Sequence, residues 1–202
     1  KNPIRLYAGQ TDSLQGKCSR CKDKKLSGLF FALPYKEKAL TKKLIYQFKY
    51  QPYLKNLAET LASILIEHFV ISGNNTNKIW ENSILVPIPL DKNKLKSRGY
   101  NQSEELAKEL SKILKIPVIS NNLIKIKSTK PQMELSKEER EKNLAGVFMV
   151  KDPSAIRPEG YPGKVFLVDD VYTTGSTMQE CAKILKENGV KSVWGIALAR
   201  EG

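Results

Sequence analysis

Val165-Phe-Leu-Val-Asp-Asp-Val-Tyr-Thr-Thr-Gly-Ser-Thr177 runs an apolar segment into two carboxylates and then into four hydroxyls around one glycine. An unbroken apolar run such as Val165 to Val168 suits a strand covered on both faces, and the stripe Met178, Cys181, Ala182 and Leu185 marks a helix directly after it. The motif therefore sits at the carboxyl end of a parallel strand, where backbone N–H groups and the positive end of the next helix converge. Such a place suits a phosphate. Thr173, Thr174, Ser176 and Thr177 add donors, and Gly175 permits the tight turn of a concave phosphate nest. Asp169 and Asp170 would repel a phosphate, but adjacent carboxylates accept hydrogen bonds from a vicinal diol, and so fit the 2′ and 3′ hydroxyls of a ribose. A ribose 5-phosphate group answers the whole pattern. A strand end capped by Asp170, with a hydroxyl-rich turn, would account for one acid and one or two hydroxyls only.

Outward from the motif, apolar periodicity marks alternating strands and helices. Gly28 to Tyr35 reads as a buried strand, followed by Ala39, Leu40, Leu44 and Phe48 at helical spacing. A second helix carries Leu54, Leu57, Ala58, Leu61, Leu65 and Phe69, and the cluster Ser72 to Asn77 breaks it. Ile84 to Ile88 is a short strand, Leu90 to Tyr100 a polar loop, and Leu106, Ala107, Leu110, Ile113 and Leu114 a helix begun near Asn101 or Ser103. Short apolar runs follow at Val118-Ile119 and Leu123 to Ile126. Lys127 to Asn143 is charged, with apolar residues too sparse for a core helix, and reads as exposed and mobile. Gly189 stops the helix after the motif, and Ser192 to Ala199 forms a last strand. This alternation predicts an α/β chain, a parallel sheet flanked by helices.

The motif resembles the phosphoribosyltransferase signature, departing from it at Tyr172, where an apolar residue is usual. Its variant Asp-Asp-Val-Tyr-Thr-Thr-Gly-Ser-Thr, with Leu85-Val-Pro-Ile-Pro-Leu90, Arg98-Gly-Tyr-Asn-Gln102 and Thr129-Lys-Pro-Gln132 through Arg140 and Asn143, resembles the ComF family of competence proteins. That resemblance implies a type I phosphoribosyltransferase fold over residues 28–202, with phosphoribosyl pyrophosphate and Mg2+ as ligands at Asp169, Asp170, Thr173, Thr174, Gly175, Ser176 and Thr177. It also implies a pyrophosphate-binding loop after Ile88, a mobile lid from Lys127 to Ala145, and a role in DNA uptake during natural competence. Lys130 and Arg140 in such a lid could neutralise a departing pyrophosphate and exclude water. Ordinary solvated loop charges are the competing reading of those two. Arg98 is a third pyrophosphate candidate, since Gly99 and Asn101 beside it suggest a shaped loop.

The acceptor is not legible. Enzymes of this fold that salvage 6-oxopurines carry an acid where Thr173 stands, and His68, the single histidine, lies on the edge of a helix stripe where packing or exposure explains it. The sequence thus describes a phosphoribosyltransferase with an unknown acceptor, in which positioning and charge stabilisation could carry catalysis. The alternatives are a non-catalytic nucleic-acid-binding accessory and a phosphoribosyl pyrophosphate sensor of the same fold.

At 202 residues, with 41% hydrophobic and 27% charged, the chain holds one well-buried core and is not a fibrous or disordered type. The longest apolar stretch, Leu61 to Ile71, is interrupted by Glu67 and His68, so no membrane span is expected. Three cysteines argue against a disulfide scaffold, and with no secretory signal layout near Lys1 a reducing, cytoplasmic location is expected. Cys18-Ser-Arg-Cys21 has the spacing of half a tetrahedral zinc site, so residues 1–27 read as a remnant of a zinc finger or as incidental thiols. ComF-family proteins usually carry further cysteines ahead of this pair, which fits a shortened N-terminus. Cys181, on a helix stripe, reads as core. Of the formal charge of +13, residues 1–60 hold an excess share, 13 basic against 4 acidic side chains. A basic patch attracts phosphate, so single-stranded DNA or a DNA-uptake protein are candidate partners, although 28 of the 34 basic residues are lysine and the bias can equally reflect genome composition.

Overall fold

In a computed structural model, residues 25–35, 39–50, 52–71, 79–127, 144, 146–156 and 163–201 are described. Along the chain they form β1 (Gly28–Pro34), α1 (Ala39–Lys49), α2 (Leu57–Ile71), β2 (Ser83–Pro87), α3 (Lys92–Arg98), α4 (Gln102–Leu114), β3 (Leu123–Lys125), β4 (Phe148–Val150), β5 (Lys164–Tyr172), α5 (Ser176–Glu187) and β6 (Ser192–Arg200). The main sheet has the order β1-β6-β5-β2 with every neighbour parallel. A separate antiparallel ribbon joins β3 to β4. The expected parallel sheet between helices is what the chain builds.

The alternation of side chains along β5 explains the two cores. Phe166 and Val168 face α1, α2 and α4, in a cluster with Phe30, Phe48, Leu65, Leu106 and Ile196. Val165 and Leu167 face the other way, onto α5 and the β3–β4 ribbon, among Met178, Cys181, Leu185 and Phe148. A strand buried on both faces can thus be apolar at every position. Aromatic rings fill the first core: Phe166 lies 4.6 Å from Trp80, and Phe30 lies 5.4 Å from Phe69. Each fully buried ring of this size contributes roughly 1.5–3 kcal/mol. Leu26, just ahead of β1, is also buried in the second core, and the Ser27 N–H donates to the Val193 carbonyl at 2.7 Å.

Strand order places the functional end of the molecule. From β2 the chain passes through α4 to Val118, which bridges Leu85 on the outer side of β2, whereas β5 pairs with the inner side and leads through α5 to β6. The winding reverses between β2 and β5, and a crevice opens outside their carboxyl ends at such a switch point.

Two boundaries and the buried face of one helix differ from the sequence reading. Leu90 to Tyr100 is not all loop, because Asp91 accepts from the Asn93 N–H at 3.0 Å and Gly99 closes α3 at φ 79°. Leu54 lies outside α2, and α1 buries Thr41, Ile45 and Phe48 while Leu40 is 66% exposed. The segment 128–143 lies outside the described residues, as do Cys18 and Cys21. Among the described residues, no helix is long and apolar enough to cross a membrane.

Candidate functional site

A cavity of about 1020 Å³ fills the switch point. Its walls come from α1, from the segment Ile88 to Ser103, and from the end of β5 with the turn into α5. Asp169, Asp170, Thr173, Gly175, Ser176, Thr177 and Arg98 all line it. Sequence reasoning grouped these residues from two distant segments, and the fold brings them to one opening. Lys130 and Arg140 lie outside the described residues.

The two acids are held from far along the chain. Asp170 is 6% exposed and pairs with the Lys49 ammonium at 2.9 Å. Asp169 accepts from the Ser103 hydroxyl at 3.0 Å and from the Asp170 backbone N–H at 2.9 Å. Burial, and then the negative charge of Asp170, push the Asp169 carboxyl up to about 7, against the pull of Lys49 and of those two hydrogen bonds. Burial draws the Lys49 ammonium down, but the charges of Asp170 and Asp169 outweigh it and leave its pKa raised.

The turn after β5 is held locally. Thr173 and Thr174 are exposed, Thr174 Oγ1 lies 3.0 Å from Ser176 Oγ, and the Ser176 N–H reaches Thr174 Oγ1 at 3.4 Å. Gly175 has φ 78°, and a Cβ there would collide with the Tyr172 ring and hydroxyl. No other residue type fits against that ring. Tyr172, the departure from the signature, is therefore the floor of the turn. Ser176 then opens α5, and the N-cap, being glycine, offers no side chain to its first N–H groups. A phosphomonoester has the charge and the acceptors to take that place.

The block from Arg98 to Ser103 ties the crevice together residue by residue. Arg98 donates to Gln102 Oε1 at 2.9 Å and sits 5.3 Å from the centre of the Tyr50 ring. The Tyr100 hydroxyl and the Gln102 amide both donate to the Phe48 carbonyl, at 2.6 and 3.3 Å, and so fix the end of α1. Asn101 caps α4 by accepting from the Ser103 N–H at 3.1 Å, and donates to the Ile88 carbonyl at 3.0 Å. Ser103 completes the block at Asp169. Lys49, Ser103 and the tilted pair Tyr46 and Tyr50, whose rings are 4.8 Å apart, escaped the sequence reading. His68 is exposed on α2 and does not line the crevice, while Cys181 is fully buried in the second core.

Known proteins place this arrangement. Residues 97–202 match the phosphoribosyl transferase domain family. The chain is 36% identical over 159 residues to Competence protein F of Haemophilus influenzae, covering 77% of this chain and 67% of that protein. The chain belongs to the ComF family. It is 31% identical over 157 residues to the DNA utilization protein YhgH of Escherichia coli, covering 78% of this chain and 66% of the relative. With Competence protein ComFC of Bacillus subtilis it shares 37% identity over 107 residues, covering 52% of this chain and 39% of that protein. The chain thus spans about two thirds of the length of the first two relatives.

Proposed function

We propose that the crevice binds the ribose 5-phosphate half of phosphoribosyl pyrophosphate, and that the protein is a phosphoribosyltransferase-like component of DNA uptake. The observation that carries the reading is the joint opening of an acid pair and a glycine turn at a helix N-terminus on one cavity of about 1020 Å³. Asp169 and Asp170 would accept the ribose hydroxyls, and Thr173 to Thr177 would surround the 5′-phosphate. The pyrophosphate would then lie toward the segment after Ile88, with Arg98 on that wall and Lys130 and Arg140 as further candidates.

Magnesium fits this site as a companion of the pyrophosphate. Asp170 already has an ammonium at 2.9 Å, and among the described residues no cluster of three potential metal ligands occurs. Bound to pyrophosphate oxygens, the ion would supply charge neutralisation of the leaving group. The chain's own contribution is to orient the ribose and keep its anomeric carbon facing the acceptor side, and Thr173 offers no carboxylate to take a proton there. Structural zinc on Cys18 and Cys21 belongs to the same reading, and metal analysis of the protein with both cysteines changed to serine decides it: zinc that survives both changes removes those ligands. Calorimetry with magnesium phosphoribosyl pyrophosphate tests the main reading, which requires saturable one-site binding.

A second reading is favoured by one observation. Tyr46 and Tyr50 are 59% and 46% exposed on the crevice wall, their rings 4.8 Å apart and tilted by 35°, beside Arg98 and Lys42. Exposed aromatic rings among cations suit the bases and backbone of single-stranded nucleic acid, in keeping with the names of the relatives and a cytoplasmic step after uptake. Binding should then fall steeply between low and moderate salt, and should weaken in Tyr50→Ala. Salt-insensitive binding would remove phosphate neutralisation as its basis.

A further inference from the structure

Lys49 is one of 28 lysines, but its surroundings are unlike those of a solvated charge. It is the last residue of α1, and the carbonyl of its neighbour Phe48 receives two side-chain hydrogen bonds, from Tyr100 and Gln102. Its backbone is thereby pinned to the segment that also carries Ser103, the partner of Asp169. Its ammonium meets Asp170 Oδ1 at 2.9 Å, in a pair whose side chains are 24% and 8% exposed. Two independent anchors, one on the backbone and one on the side chain, converge on a single lysine at the ligand wall.

The chemistry of the site gives this a purpose. Two adjacent carboxylates in a partly desolvated crevice repel each other, and a lone buried charge tends to neutralise itself. An ammonium fixed at 2.9 Å from Asp170 offsets that repulsion, and a carboxylate held through one oxygen keeps a constant orientation for its other one. The Ser103 hydroxyl from α4 reaches the other acid, Asp169, at 3.0 Å. Lys49 is the cation that the described structure pairs with Asp170.

We propose that Lys49 is a positioning residue of the crevice, whose ammonium holds the Asp170 carboxylate in the orientation from which it accepts ribose hydroxyls. This rests on the reading of the crevice as a ribose 5-phosphate site. It assigns α1 a part in ligand binding, and it makes the Arg98 to Ser103 block an aligner of both acids at once, Asp169 directly through Ser103 and Asp170 through the end of α1.

Ribose 5-phosphate binding to the full chain, measured by calorimetry near neutral pH, tests the proposal in the wild type, Lys49→Met, Lys49→Arg, Asp170→Asn and the double variant Lys49→Met/Asp170→Asn. Affinity should fall about tenfold or more in Lys49→Met, as expected when one member of a buried charge pair is removed. It should recover in part in Lys49→Arg. In the Asp170→Asn background Lys49→Met should have almost no further effect, because the lysine acts through that carboxylate. If Lys49→Met does not fold, Lys49→Gln supplies the comparison. Unchanged affinity with lowered thermal stability would reduce Lys49 to a structural tie and overturn the proposal, and so would fully additive losses, which would place the ammonium on the ligand itself. A wild type that binds while Lys49→Met binds equally refutes this inference alone. A wild type that binds neither ribose 5-phosphate nor phosphoribosyl pyrophosphate refutes it together with the proposed function.

Discussion

The acid half and the hydroxyl half of Asp169 to Thr177 are neighbours in sequence and opposites in support. Asp169 and Asp170 are held by Ser103 and Lys49, from α4 and α1, and lie low in the crevice. Thr174 and Ser176 bond to each other within their own turn, and Thr173 and Thr174 meet solvent. One half is shaped by the whole fold before any ligand arrives, while the other has donors whose strongest partner would be the ligand. Changes among the acids should therefore disturb stability and binding together. Changes among the hydroxyls should disturb binding alone.

Gly175→Val should break this division most visibly, since it lies in the hydroxyl half yet is bound to the fold through its φ of 78° and the Tyr172 ring beside it. A β-branched side chain there combines backbone strain with a collision, and should cost about 3 kcal/mol of stability and abolish ligand binding. Chemical denaturation and calorimetry measure both. Asp170→Asn comes next: it leaves the Lys49 ammonium without its carboxylate, and about 2–3 kcal/mol of stability should go along with affinity.

A pH series sharpens the acid side. Because the folded-state pKa of Asp169 is raised from 3.8 to about 7, the folded protein binds the proton more tightly than the unfolded chain. Stability should fall as pH rises from about 4 to about 7 and level off above, by about 2 kcal/mol once water in the open crevice has screened the pair. Asp169→Asn should flatten that slope, and an unchanged slope would locate the titration elsewhere. Thr174→Val is the smallest change. Denaturation should shift by no more than about 0.5 kcal/mol, because the residue is exposed, whereas ligand affinity should drop by about 1 kcal/mol for one lost donor.

The sequence makes β5 and α5 legible because both carry unbroken structural signals: Val165 to Val168 is apolar on two faces, and Met178, Cys181, Ala182 and Leu185 are all buried as their spacing predicts. The position of the motif followed from these two elements. Helix α3 was hidden because none of its residues is buried, so it has no apolar stripe, and only Asp91 and Gly99 mark its ends. Periodicity also mistook the phase of α1, where a fully buried Ile45 and a buried Thr41 replace the expected Leu40. Lys49 could not be found at all by local reading. Its partner is in a strand far along the chain, and nothing distinguishes it from the other lysines until α1 and β5 come together. Ser103 left a trace only as a candidate helix start, since its bond to Asp169 depends on the same assembly.

The central claim is that one crevice holds ribose 5-phosphate through two differently supported halves. Titration calorimetry with magnesium phosphoribosyl pyrophosphate on the wild type, Asp170→Asn, Thr174→Val and Cys181→Ala tests it most directly. The account predicts saturable one-site binding, weakened in Asp170→Asn and Thr174→Val and unchanged in Cys181→Ala, whose thiol is buried in the second core. Unaltered affinity in both Asp170→Asn and Thr174→Val, each shown to be folded, would contradict it and leave the acids and hydroxyls as the capping of a strand end.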